Sequence, residues 1–157
     1  MSKRCCFTGH RDIPEDKYIK TMQLLRQKIL NLYTEGYRIF NTGGAVGFDT
    51  MAAQAVLKLK ESFPDVQLHL YLPYPQQADK WPAKARAVYD YILRHSDKVT
   101  YSDKEYNSGC MNKRNRALVD NADLCIACCT QTTGGTVYTM GYAIDSGVDV
   151  INIATEL

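Results

Sequence analysis

Apolar and polar positions along the chain follow two rhythms, one of period two and one close to 3.6, and these alternate from one end to the other. Arg4 to Thr8 reads as a short strand. Pro14-Glu15-Asp16 opens a helix on which Tyr18, Met22, Leu25, Ile29 and Leu32 recur at helical spacing until Gly36. Tyr37 to Asn41 predicts a second strand, Phe48 to Glu61 a helix rich in Ala and Leu before Pro64, and Val66 to Leu72 a third strand. The rhythm lapses over the loop Pro73 to Pro82 and resumes as a helix from Ala83 to Leu93 and a strand from Lys98 to Tyr101. A polar loop, Ser102 to Gly109, leads into a helix from Cys110 to Asp120 and a strand from Asp123 to Cys129. A last helix, Gly135 to Ser146, precedes a strand from Val148 to Ala154. Such alternation with short linkers predicts an α/β fold. We expect a doubly wound, mainly parallel Rossmann-like sheet with helices on both faces, in a single domain over residues 1–157.

Three strand-to-helix turns carry glycines: Thr8-Gly9-His10-Arg11, Thr42-Gly43-Gly44-Ala45-Val46-Gly47-Phe48-Asp49 and Thr132-Thr133-Gly134-Gly135-Thr136. In a parallel sheet all such turns lie at the carboxyl edge, so the three can face one crevice. Glycine lets backbone N–H groups approach an anion, and the helix behind adds the positive end of its dipole. The pattern predicts a phosphate-bearing ligand at Gly9, Thr42, Gly43, Gly44, Gly47, Gly134, Gly135 and Thr136. No Lys-Ser or Lys-Thr pair follows the glycines, and G-x-G-x-x-G is missing from all three turns, which argues against a P-loop and a standard dinucleotide fingerprint. The bland alternative is that these glycines only permit tight turns and close helix docking.

Arg11 and Arg114 are the first candidates for gripping phosphate, because a guanidinium presents paired donors and stays charged. For Arg114 the alternative is a solvated helix face, since Lys113 and Arg116 flank it. His10 offers a donor or an acid–base group, or simply a bond to backbone. No catalytic residue is fixed by the sequence; Asp49 is the candidate, with capping of the second helix as its structural alternative. Trp81 and Tyr106 could stack on a base whose edge Gln77 or Asn107 reads, although Trp81 beside Pro82 fits loop anchoring better.

Composition narrows the partners. Nineteen Lys plus Arg against 17 Asp plus Glu leave a formal charge of +2, too little to advertise nucleic acid. No apolar run approaches the ~20 residues of a membrane span, and the chain passes at once into a strand, so a cytoplasmic protein without membrane attachment is expected. The six cysteines lie mostly in apolar runs and read as reduced core residues. Cys125 and Cys128 form C-x-x-C, yet strand alternation sends them to opposite faces, so no metal and no cofactor is expected.

Gly9-His10-Arg11 and Thr42-Gly43-Gly44-Ala45-Val46-Gly47-Phe48-Asp49-Thr50-Met51-Ala52-Ala53 resemble the G-S-R and S-G-x-A-x-G-I-D-x-x-A-H segments of the DNA-processing protein DprA family. Met111-Asn112-Lys113-Arg114-Asn115 and Gly134-Gly135-Thr136 resemble the M-x-x-R-K and P-G-G-x-G-T-x-x-E segments of the LOG cytokinin-activating phosphoribohydrolases. The whole chain is similar to members of the SLOG superfamily, in the small stand-alone bacterial branch related to YpsA and YoqJ. The resemblance implies a nucleotide-derived ligand, such as an ADP-ribose-like molecule, and a homo-oligomer of the kind LOG enzymes form. Where the LOG segment has its acidic residue this chain has Thr139, and a hydroxyl cannot stabilise an oxocarbenium-like centre. A binding or sensing module that signals to a protein partner is therefore favoured over a nucleoside monophosphate N-glycosidase built on Asp49. DprA-like single-stranded DNA binding ranks third, for want of a basic groove.

Overall fold

The computed structural model describes residues 2–157. Six strands, β1 (Lys3–Gly9), β2 (Tyr37–Thr42), β3 (Gln67–Leu72), β4 (Lys98–Tyr101), β5 (Leu124–Cys128) and β6 (Asp149–Asn152), form one sheet in the order β4-β3-β2-β1-β5-β6. Every neighbouring pair is parallel, so the sheet is wholly parallel rather than mainly so. Five α-helices connect them: α1 (Tyr18–Thr34), α2 (Phe48–Ser62), α3 (Ala83–His95), α4 (Cys110–Asp120) and α5 (Gly135–Asp145).

The chain steps outward from β1 to β4, then returns past β1 to lay down β5 and β6. With right-handed crossovers the outward helices cover one face and the returning helices the other. The core divides in the same way. Cys5, Phe7, Phe40, Leu68, Leu70, Leu72, Leu124, Ile126 and Cys128 pack with α1, α2 and α3 residues such as Leu25, Ile29, Met51 and Ile92. Cys6, Tyr71 and Cys125 pack with Leu118, Val119 and Ala143 of α4 and α5. Cys5 and Cys6 thus point to opposite faces, as strand alternation requires. Cys125 and Cys128 separate between the two clusters for the same reason, as their spacing predicted. All cysteines are free thiols, five of them buried and Cys129 half-buried. Burial pushes the Cys5 thiol well above its ordinary value.

Phe7, Phe40 and Phe48 are fully buried, each worth about 1.5–3 kcal/mol of removed apolar surface. Tyr18, placed by spacing on the apolar stripe of α1, instead lies exposed at the start of that helix. The last strand is shorter than its apolar run suggests. Residues Ile153–Glu156 form a 3-10 turn, because the Asn152 side chain accepts from the Ala154 N–H and redirects the chain while Ile153 still reaches the core. The same amide holds the Cys129 backbone from both sides, accepting from its N–H and donating to its carbonyl at 3.0 Å.

The candidate site at the topological switch point

Strand order reverses between β1 and β5, and a crevice opens there outside the carboxyl ends of the strands, as expected for an open α/β sheet. A cleft of about 270 Å³ occupies it. Its walls come from Phe7 to Arg11 at the end of β1, from Ala45 and Asp49 in the second turn, from Met111, Asn112, Arg114, Asn115 and Leu118 along α4, and from Gly135 and Thr136 at the start of α5.

The first two turns are locked together by main-chain contact. The Phe48 N–H donates to the His10 carbonyl at 3.1 Å, and Gly47 lies so close beneath Arg11 that a β-carbon there would come within 2.2 Å of the Arg11 carbonyl oxygen. Gly47 also has φ +80°, which side chains rarely adopt. The His10 ring spans the switch point: its Nε2 accepts from the Thr130 N–H at 3.0 Å, so the proton of the neutral ring sits on Nδ1. Close packing accounts for the glycines of these turns. A β-carbon on Gly9 would strike the Phe48 ring at 2.4 Å, and one on Gly44 would meet the Leu72 side chain at 2.4 Å with Gln77 at 3.2 Å. At the third turn the surroundings differ. Gly135 has only the Asn115 amide nearby, at 3.7 Å from such an atom, and Gly134 only the Gln131 side chain at 4.0 Å. The start of α5 is therefore the one glycine turn of the three whose backbone stays open.

Asp49 and Arg114 pinch Gly43 between them. A β-carbon on Gly43 would lie 2.7 Å from Arg114 Nη1 and 2.8 Å from Asp49 Oδ2. Arg114 donates through Nη1 to the Gly43 carbonyl and through Nε to Asn115 Oδ1 at 2.8 Å. It is 5% exposed, so it is not the solvated residue its basic neighbours in sequence allow. Asp49 Oδ2 accepts from the Ala45 N–H at 3.2 Å, fastening the turn to the first turn of α2; Gly47, not Asp49, is the residue at the helix cap. Burial raises the Asp49 carboxyl to about 6, against the pull of Arg114, the Ala45 amide and Arg11. Burial likewise lowers Arg114 from its ordinary value, offset in part by Asp49. The site thus holds two guanidinium groups, one carboxylate and the open amides of α5.

A second cleft, of about 580 Å³, adjoins the first, and Arg11 and Met111 line both. Tyr74, Gln77, Trp81 and Tyr106 line it as well. Trp81 stands edge-on to Tyr89 with ring centroids 5.2 Å apart, so it anchors its loop and lines the cleft together. Gln77 is buried with its amide 3.5 Å from the Tyr89 hydroxyl. Asn107 lies outside both clefts and accepts from the Gly109 N–H at 3.0 Å, shaping the approach to α4.

Of the sequence candidates, Gly9, His10, Arg11, Asp49, Arg114, Gly135 and Thr136 meet around the first cleft, and Gln77, Trp81 and Tyr106 around the second. Thr42, Gly43, Gly44, Gly47 and Gly134 line neither. Thr42 is fully buried, its hydroxyl lacking a hydrogen-bond partner among the described residues. Sequence reasoning quoted Met111, Asn112 and Asn115 only as part of the LOG-like segment, and Tyr74 was not singled out in its loop. On α4 the signal was available, because Met111, Arg114, Asn115 and Leu118 recur at helical spacing and therefore share a face. Thr139, at the position of the LOG acidic residue, is fully buried and donates to the Gly135 carbonyl at 2.7 Å, out of the cleft.

The fold and the switch-point cleft define a Rossmann-like α/β protein with a candidate ligand site at its carboxyl edge. The chain belongs to the YspA SLOG family, whose profile matches residues 6–146. A UPF0398 protein of Halalkalibacterium halodurans is 34% identical over 117 residues, which is 73% of this chain and 59% of that protein. One from Staphylococcus saprophyticus is 32% identical over 88 residues, 56% of this chain and 46% of that one. The chain thus spans about half the length of these relatives. Among solved structures, DprA from Streptococcus pneumoniae superposes with a TM-score of 0.70 at 17% identity, over 95% of this chain and 49% of that one. DprA from Helicobacter pylori, described as having a unique single-stranded DNA binding mode, superposes at 0.68 and 18% identity, over 94% and 63%. Among the described residues no helix is long and apolar enough to cross a membrane.

Proposed function

We propose that the chain binds a nucleotide or nucleotide-derived ligand in the switch-point cleft, as a binding or sensing module. One observation carries the reading: the open amino end of α5 at Gly135 and Thr136 lines the same cleft as Arg11 and the buried Arg114. Open helix amides and guanidinium groups on one small cleft form a site for an anion with several acceptor oxygens. Burial of Arg114 makes its interactions stronger than they would be in water. Mass spectrometry of small molecules released from the purified protein tests this. A phosphate-bearing nucleotide is expected, and calorimetric titration should recover its binding; a protein that carries none and binds none would refute the proposal.

A second reading, cleavage of a nucleoside monophosphate at its N-glycosidic bond, is favoured by Asp49. Its carboxyl lines the cleft and keeps its proton up to a pH of about 6, a range suited to acid–base work. Against it stands Thr139, whose hydroxyl is bonded to its own helix. Chromatography for free base after incubation with nucleoside monophosphates separates the two readings. Binding of single-stranded DNA, suggested by the likeness to DprA, predicts a gel shift that weakens steeply with salt.

A further inference from the structure

We infer that Asn41 and His69 hold one buried water molecule between β2 and β3, in a closed solvent site beneath the last turn of α4. The site lies apart from both clefts and does not depend on what they bind.

Register brings the two side chains together. Asn41 of β2 is paired directly with His69 of β3, and such partners on neighbouring strands stand about 4.7–4.9 Å apart with their side chains on one face. That face is the one covered by α4, since Cys6, the partner of Asn41 on β1, packs with Leu118 and Val119. Asn41 is fully buried and His69 nearly so.

The free end of each group follows from its other partner. Asn41 Nδ2 donates to the Asn121 carbonyl at 2.8 Å; a carbonyl can only accept, so the amide oxygen is the end left over. His69 Nε2 meets Gln67 Oε1 at 2.8 Å, which places the proton of the neutral ring on Nε2 and leaves a lone pair on Nδ1. Asn41 Oδ1 and His69 Nδ1 are both buried and find no hydrogen-bond partner among the described residues. Two acceptors cannot satisfy one another, and leaving both unpaired in the interior carries the desolvation penalty of two polar groups.

The surroundings decide what can donate to both. A cation would face Arg4 and Lys98; burial, then these two charges, already hold His69 below its ordinary value. An anion would present further lone pairs to the two already there. A neutral molecule with two donors fits, and water gives one O–H to Oδ1 and the other to Nδ1. The remaining charged neighbours do not alter this. Lys60 and Asp97 are engaged with each other, and Asp97 also accepts from the Leu68 N–H at 2.8 Å. The water thereby extends a polar chain from His69 through Asn41 to Asn121, whose own amide donates to the Ala117 carbonyl at 2.8 Å. The end of α4 is tied to the sheet through that chain.

Crystallography of the full chain and 15N NMR of its imidazoles test this together. Density for one water is expected within about 2.7–3.2 Å of both Asn41 Oδ1 and His69 Nδ1, with the ring neutral at neutral pH and protonated on Nε2. A proton on Nδ1, direct contact between the two side chains, or ordered density for both with no water between them would overturn the site. In urea unfolding, Asn41→Leu and His69→Leu each remove a partner of the same water. The folding equilibrium of the double variant should therefore exceed, by about tenfold, the value that the two single losses multiplied together give. Independent effects would overturn a shared molecule. The readings on the parent chain decide the matter even where a variant fails to fold.

Discussion

The imidazole of His10 accepts a hydrogen bond from the Thr130 N–H at 3.0 Å, joining the turn after β1 to the segment after β5 across the line where the strand order reverses. An imidazolium has no lone pair with which to accept, so this bond exists only in the neutral ring. Replacing His10 with Ala should cost about 0.5–1.5 kcal/mol of stability, since the Thr130 amide lies near solvent and can find water. Urea unfolding of parent and variant measures this; a variant as stable as the parent would make the bond incidental.

Asp49 should give the protein a distinctive response to mild acid. Its carboxyl is raised from 3.8 to about 6, so the folded state binds the proton more readily than the unfolded chain. Ionised Asp49 therefore opposes folding at neutral pH, and its penalty is relieved as the pH falls from about 6 towards 4. The difference is on the order of 2–3 kcal/mol. Asp49→Asn should remove that component, so the stability difference between variant and parent shrinks over this window. Denaturant melts at a series of pH values check the sign, and a difference that stays constant would refute it.

Arg114 and Arg11 should separate structure from recognition. Arg114→Ala leaves the buried Gly43 carbonyl without its guanidinium donor and should cost about 1–3 kcal/mol of stability whatever the ligand does. Arg11 is exposed, so Arg11→Ala should leave the melt nearly unchanged. It should still weaken a phosphate-bearing nucleotide by at least about 1.5 kcal/mol in calorimetry.

The glycines divide in the same way. Gly47→Ala combines a φ of +80° with a 2.2 Å approach to the Arg11 carbonyl and should destabilise by on the order of 2–4 kcal/mol. Gly135→Ala meets only the Asn115 amide at 3.7 Å and should melt within a few degrees of the parent. If the amides of α5 hold phosphate, it should lose most of the ligand-induced thermal shift. An unchanged shift would make the third turn structural only.

Much of the fold was legible because a parallel α/β sheet writes its two rhythms plainly, and parallel strands put every strand-to-helix turn at the carboxyl edge. The overrun at β6 was not legible, since Ile153 is apolar in either conformation and the deciding contact is the side chain of Asn152. Within the site, Gly9, Arg11, Asp49 and Gly135 could be found from their place after strands. The neighbours that occupy Gly44 and Gly47 could not, because Leu72, Gln77 and Arg11 reach them only through the folded chain. Arg114 was named as a candidate from its segment, but its burial was not foreseen. Its basic neighbours obscured the apolar face it shares with Met111 and Leu118.

The floor of the crevice is held largely through the main chain: the Phe48 amide on the His10 carbonyl, the Gly47 backbone against Arg11, and the Thr130 amide on the His10 ring. The walls, by contrast, are side chains of α4 and of the Tyr74 and Tyr106 loops. Exchanging Met111, Asn112, Tyr74 or Tyr106 would leave that floor intact, which makes those four positions the natural place for related proteins, or for an engineer, to change which molecule is held.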